Sequence, residues 1–90
     1  MTARQVFYEG RVQGVGFRWT TKRIASGFDV QGWVRNLSDG RVELYVHGEE
    51  NEVREFLEAV KESELNANIR KEDIHSTPVD TKVRGFEIVT

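Results

Sequence analysis

The apolar residues of this chain repeat with a period that changes along the sequence, and the order of those changes leaves few folds open. Residues 4–12, RQVFYEGRV, put Val6, Tyr8 and Val12 on one face and Phe7 on the other, the alternation of a half-buried strand. In FRWTTKRIASGF the spacing shifts to that of a helix, with Phe17, Thr20, Thr21, Ile24 and Phe28 on one side and Gly27 as the C-terminal stop. VQGWVRN (30–36) and RVELYVHG (41–48) return to the strand pattern. The Asp39-Gly40 pair between them suits a turn that needs positive φ, so the two runs form a hairpin. From Glu49 to about Ser63, Val53, Phe56, Leu57 and Val60 mark a second helix, with Glu49, Glu50 and Glu52 placed to complement its positive start. Beyond it, NANIRKEDIHST reads as a strand through Ile69 and Ile74, its ends unset within residues 66–77. RGFEIVT reads as a last strand with Phe86 and Ile88 on one face, after a turn around Pro78.

The order is β-α-β-β-α-β with one extra strand. Right-handed crossovers make this an α+β fold, a ferredoxin-like βαββαβ two-layer sandwich in which a mostly antiparallel sheet carries two helices on one face. Ninety residues without a break in composition form a single domain, 1–90, because two cores would each be too small to bury enough apolar surface. No apolar run approaches the roughly 18 residues that span a bilayer, so no membrane partner is expected. The start, MTARQVFYEG, lacks the basic then apolar pattern of a secretory signal, which makes the cytoplasm the expected location. Without cysteine there are no disulfides, thiolate metal sites or cysteine nucleophiles. A net charge of −2 provides no general field for a polyanion, so any anion has to be caught locally.

The stretch GRVQGVGFRW (10–19) is where that would happen. A helix N-terminus offers unpaired N–H groups and about half a positive charge, and a glycine-containing loop running into it can wrap an anion. Gly14 and Gly16 supply the backbone freedom, and Arg18 stands in the first helical turn, where its charge opposes the helix dipole but its guanidinium can grip two oxygens at once. The same residues also fit a plain tight turn beside a surface arginine. A Gly-Lys-Ser/Thr ending and a third dinucleotide-type glycine are both missing, so nucleotide binding is not supported. His47 and His75 are far apart and lack partners at ligand spacing, so no metal site is expected.

Taken together, GRVQGVGFR (10–18) and GWVRNLSDGRVELYVHG (32–48) resemble the two signature segments of the acylphosphatases. The first carries that family's pattern as Gly10, Val12, Gln13, Gly14, Val15, Phe17 and Arg18; the second as Gly32, Trp33, Val34, Arg35, Asn36, Gly40, Val42 and Gly48. The resemblance implies hydrolysis of the carboxyl–phosphate bond of acyl phosphates to carboxylate and inorganic phosphate, without metal or other cofactor. It implies that Arg18 binds the phosphoryl group, that Asn36 positions the attacking water, and that the amides of Gln13, Gly14, Val15, Gly16, Phe17 and Arg18 line the phosphate cradle. The expected partner is the small acyl phosphate alone, with no nucleic acid, and the expected state is a monomer.

Three departures stand out. Tyr8 replaces the family's usual aliphatic residue, which implies altered packing under strand one; residues 63–83 match loosely; and FEIVT lacks the family's basic or aromatic finish. Trp19 and Trp33 fit either flanking the acyl group or packing, while Lys22, Arg23 and Arg35 read as solvated charges. An RNA-binding domain shares the βαββαβ pattern, but RVELYVHG offers only Tyr45 for base stacking and the chain is acidic. A non-catalytic module holding a phosphorylated metabolite would use the same loop, and Asn36 is the residue that separates an enzyme from it.

Overall fold

The computed structural model describes residues 1–90. Five strands form one sheet: β1 (Thr2–Gly10), β2 (Val30–Asn36), β3 (Val42–Gly48), β4 (Ile69–Ser76) and β5 (Phe86–Ile88), in the spatial order β4-β1-β3-β2-β5. Helices α1 (Phe17–Ala25) and α2 (Glu50–Glu62) each cross over between strands that are not neighbours, which is the split βαβ arrangement expected of a ferredoxin-like sandwich. All pairings are antiparallel except β2 with β5, which run parallel with Val34 opposite Ile88.

The period-two residues meet the helices as their spacing requires. Val6, Tyr8, Val34, Val42, Leu44 and Val46 are buried on one face of the sheet against Phe17 of α1 and Val53, Phe56, Leu57 and Val60 of α2. Phe56 stands between the rings of Phe28 and Phe86, at 6.1 and 5.7 Å, and so couples α2 to both the end of α1 and the last strand.

Several boundaries differ from the periodicity reading. Strand β1 ends at Gly10 rather than at residue 12, because its register with β4 shifts between Glu9 and Gly10 and Gly10 takes a φ of 131°. There the Arg11 N–H leaves the ladder and bonds Asn68 O at 3.0 Å. Helix α1 ends at Ala25, and Gly27 is not a left-handed stop. Its φ is not positive, and the helix instead tightens through bonds from Ser26, Gly27 and Phe28 N–H to the carbonyls three residues back. Residues 64–68 form a short 3-10 helix that buries Leu65 and is capped by Ser63 Oγ accepting from Leu65 N–H, so the fourth strand starts only at Ile69. The hairpin turn forms as expected, with Gly40 at φ 96° and the Asp39 carboxylate accepting from Arg41 N–H and Nε. Those bonds hold the Asp39 carboxyl below its ordinary range.

The face away from the helices is also covered. The chain must travel from β4 at one edge of the sheet to β5 at the other, and residues 77–85 make that crossing over the open face. Thr77 N–H bonds Ala3 O, and Asp80 N–H donates to Tyr45 Oη at 2.7 Å. Because that backbone group can only donate, the Tyr45 hydroxyl is free to donate to His47 Nδ1, 2.9 Å away. Under this strap β3 is buried on both sides, Glu43, Tyr45 and His47 included. Glu43 Oε1 accepts from Arg35 Nε and Oε2 from Gln5 Nε2, so both oxygens of the buried carboxylate are satisfied. Arg35 is therefore not the free solvated charge expected from sequence: it pairs with Glu43 and lies over the Trp33 ring, 5.2 Å from its centroid.

Candidate active site

The loop after β1 is shaped by two left-handed glycines. Gly14 has φ 76° and Gly16, the N-cap of α1, φ 78°; a side chain at either position would meet no neighbour, so backbone conformation and not crowding selects glycine there. Gly16 has no side chain with which to cap the helix, and the first helical bond runs from Thr20 N–H to Gly16 O. The N–H groups of Phe17, Arg18 and Trp19 are thus left without helical partners, in a first turn that holds no acidic residue.

These donors open onto a cavity of about 200 Å³. Its polar wall is Gly14, Gly16, Arg18 and Asn36, and its apolar wall is Val12, Phe17, Trp19 and Ile88. Residues that are eighteen apart in sequence therefore share one site: Arg18 from the start of α1 and Asn36 from the end of β2. The ladder explains how. Asn36 lies opposite Val42 and on the helix-facing side of β2, two and four residues beyond Val34 and Gly32, so its side chain points to the layer in which α1 begins.

The two side chains are uncommitted. Arg18 is half-buried and takes part in no ion pair. Asn36 Oδ1 is buried and accepts no hydrogen bond, although a buried amide oxygen without a partner is costly.

The other expected cradle residues divide. Gly14, Gly16 and Phe17 line the cavity with Arg18, whereas Gln13 and Val15 do not. Gln13 points the other way: its Nε2 donates to Leu37 O at 2.7 Å and Arg41 O at 2.9 Å, fastening the loop to the β2–β3 turn. Val15 projects to solvent, 38% exposed. Trp33 lies outside the site, stacked on Tyr45 beneath the opposite face. Ile88 was not among the residues expected here; it arrives through the parallel β2–β5 pairing, for which no local pattern in FEIVT gives a signal.

Beneath the site, Tyr8 is fully buried and its ring lies 5.0 Å from that of Phe17. Its hydroxyl has no hydrogen-bond partner and faces the carboxylate of its cross-strand neighbour Glu72, whose Oε2 is also buried and unpartnered. Burial first, and the nearby Glu72 charge second, push the Tyr8 hydroxyl well above its ordinary pKa.

A five-stranded sheet with two crossover helices on one face, in βαββαβ order, makes this an α+β domain of the ferredoxin-like class. Comparison with known proteins narrows this. The acylphosphatase family profile matches residues 4–88. The acylphosphatase of Archaeoglobus fulgidus is 39% identical over 88 residues, 98% of each chain. The crystal structure of the Bacillus subtilis acylphosphatase superposes with a TM-score of 0.90 at 34% identity over the whole of both chains, and the structure of an acylphosphatase from Coxiella burnetii with 0.86 at 31%, covering 98% and 92%. The chain belongs to the acylphosphatase family, and its activity is the hydrolysis of acyl phosphates to a carboxylate and inorganic phosphate.

Proposed function

We propose that Arg18 and Asn36 carry this hydrolysis between them. The reading rests on one observation above the others: Asn36, whose buried Oδ1 has no hydrogen-bond partner, lines the same cavity as Arg18. An enzyme needs a group to hold the phosphoryl oxygens and a group to hold water; a simple binder needs only the first.

In this reading the phosphoryl group sits at the start of α1, its oxygens held by the Arg18 guanidinium and by the amides of those loop residues that line the cavity, Gly14, Gly16, Phe17 and Arg18. Asn36 Oδ1 accepts a hydrogen bond from a water and aims its oxygen at phosphorus. The water oxygen forms the new P–O bond, the bond from phosphorus to the carboxyl oxygen breaks, and its electron pair leaves with the carboxylate. Asn36 is too weak a base to take the water's proton, which passes to a phosphoryl oxygen. A carboxylate departs without a general acid, and a loose transition state is stabilised mainly by positioned donors, so arginine and amides can supply the catalysis without a metal or other cofactor. The chain acts as a single domain and a monomer in the cytoplasm, with acyl phosphate and phosphate as its only partners.

The test is hydrolysis of benzoyl phosphate in EDTA by the wild type, Arg18→Ala and Asn36→Ala, with circular dichroism as the folding control. Each substitution should lower kcat about 100- to 1000-fold, the usual effect of removing one transition-state donor, without loss of fold. Inorganic phosphate should raise the Tm of Asn36→Ala but not of Arg18→Ala. An Asn36→Ala enzyme of undiminished kcat would remove the water-positioning role. A wild type that binds phosphate through Arg18 but turns nothing over would replace the enzyme by a binding module.

A further inference from the structure

The two tryptophans of this chain have opposite surroundings. Trp33 packs against Tyr45 and Arg35, whereas Trp19 joins no aromatic or cation–π pair and is 68% exposed, the most exposed of the Trp, Tyr and Phe side chains. A scattered exposed apolar residue is ordinary. Trp19, however, follows Arg18 directly in the first turn of α1 and lines the same 200 Å³ cavity.

That cavity is divided by chemistry. The side-chain donors a phosphoryl group can use, on Arg18 and Asn36, lie on the wall with the glycines, beside the free N–H groups at the start of α1. The rest of its wall, Val12, Phe17, Trp19 and Ile88, has no side-chain donor except the indole N–H and offers little to a phosphoryl oxygen. A substrate with its phosphoryl group on the polar wall must turn its acyl end toward the apolar one. There the deep positions, Val12 and Phe17, are already packed into the core, leaving the Trp19 ring as the broad surface still open to a ligand.

We infer that Trp19 is a specificity residue that binds the acyl group, and that it sets a preference for acyl phosphates with a flat aromatic or extended apolar acyl chain over short ones such as acetyl phosphate. The inference rests on the placement of the phosphoryl group proposed above. Trp19 does not touch the reacting atoms; it holds the leaving group's far end, so its removal acts on KM more than on kcat.

The test compares wild type, Trp19→Ala and Trp19→Phe on benzoyl and acetyl phosphate. The ratio of kcat/KM for benzoyl over acetyl phosphate should fall about tenfold in Trp19→Ala, mainly through KM, which is what one aromatic contact is worth, and Trp19→Phe should restore most of it. In parallel, the Trp19 indole N–H resonance is followed by NMR during addition of benzylphosphonate, methylphosphonate or inorganic phosphate. A shift with benzylphosphonate alone is the expected result. Equal losses on both substrates in Trp19→Ala, no loss on either, or an indole signal indifferent to benzylphosphonate each overturn the inference. If the wild type hydrolyses neither ester yet the indole still responds to benzylphosphonate, the hydrolytic roles of Arg18 and Asn36 fall while the aromatic subsite stands.

Discussion

Tyr8 shows how one side chain can tie the core to the solution pH. Its hydroxyl would ionise near 10.0 in the unfolded chain, but in the folded protein burial and the neighbouring Glu72 hold it protonated well above that. A folded-state pKa raised above the unfolded one means that the unfolded chain gives up the proton first. The contribution is therefore complete below about pH 10 and is lost as pH rises beyond it. Urea midpoints measured from pH 8 to 11 should fall more steeply above pH 10 for the wild type than for Tyr8→Phe, which has no proton to lose; parallel curves would show that the hydroxyl is not held this way. The proposed catalytic pair belongs to the same scale. Arg18 could be read from its place in the motif, and Asn36 too, but that the Asn36 oxygen is buried and left without a partner is a property of its surroundings alone.

At the scale of the elements, two glycines that look alike in sequence carry different constraints. Gly10 ends β1 at φ 131°, and a Cβ there would lie 2.3 Å from Asn68 O, so Gly10→Ala should cost about 3 kcal/mol in denaturant unfolding. Gly27 has an ordinary φ and a Cβ would meet only Ile24 O at 3.5 Å; Gly27→Ala should be neutral or stabilising by up to about 1 kcal/mol in the same experiment. The glycine loop has its own fastening in Gln13. Gln13→Glu keeps the shape but replaces two donated bonds by a carboxylate facing the carbonyls of Leu37 and Arg41. It should cost roughly 2 kcal/mol of stability and lower kcat by more than Gln13→Ala does, because repulsion displaces the loop where truncation merely frees it. Equal kcat values for the two variants would show that the fastening does not position the loop.

Over the whole molecule, the strap of residues 77–85 closes the face of the sheet that the helices leave open, and Tyr45 is its main clasp. Tyr45→Phe removes the acceptor for Asp80 N–H and the donor to His47, and should lower stability by about 1–2 kcal/mol, a Tm change of roughly 4–16 °C, with kcat on benzoyl phosphate unchanged. A drop in kcat with Tm intact would mean that the strap communicates with the site on the other face. The helices, the four longer strands, the hairpin turn and the glycine loop were legible from the residues alone, because each depends on spacing over a few positions: Val53, Phe56, Leu57 and Val60 on one stripe, or Asp39-Gly40 at a turn. What spacing left open depends on groups distant in the chain. The parallel docking of β5 that brings Ile88 to the site, the strap that turns Glu43 and His47 into buried residues, and the aim of Gln13 away from the cradle all arise from pairing across the sheet. Such contacts leave no local period, since their energy comes from partners that only the closed structure brings within reach.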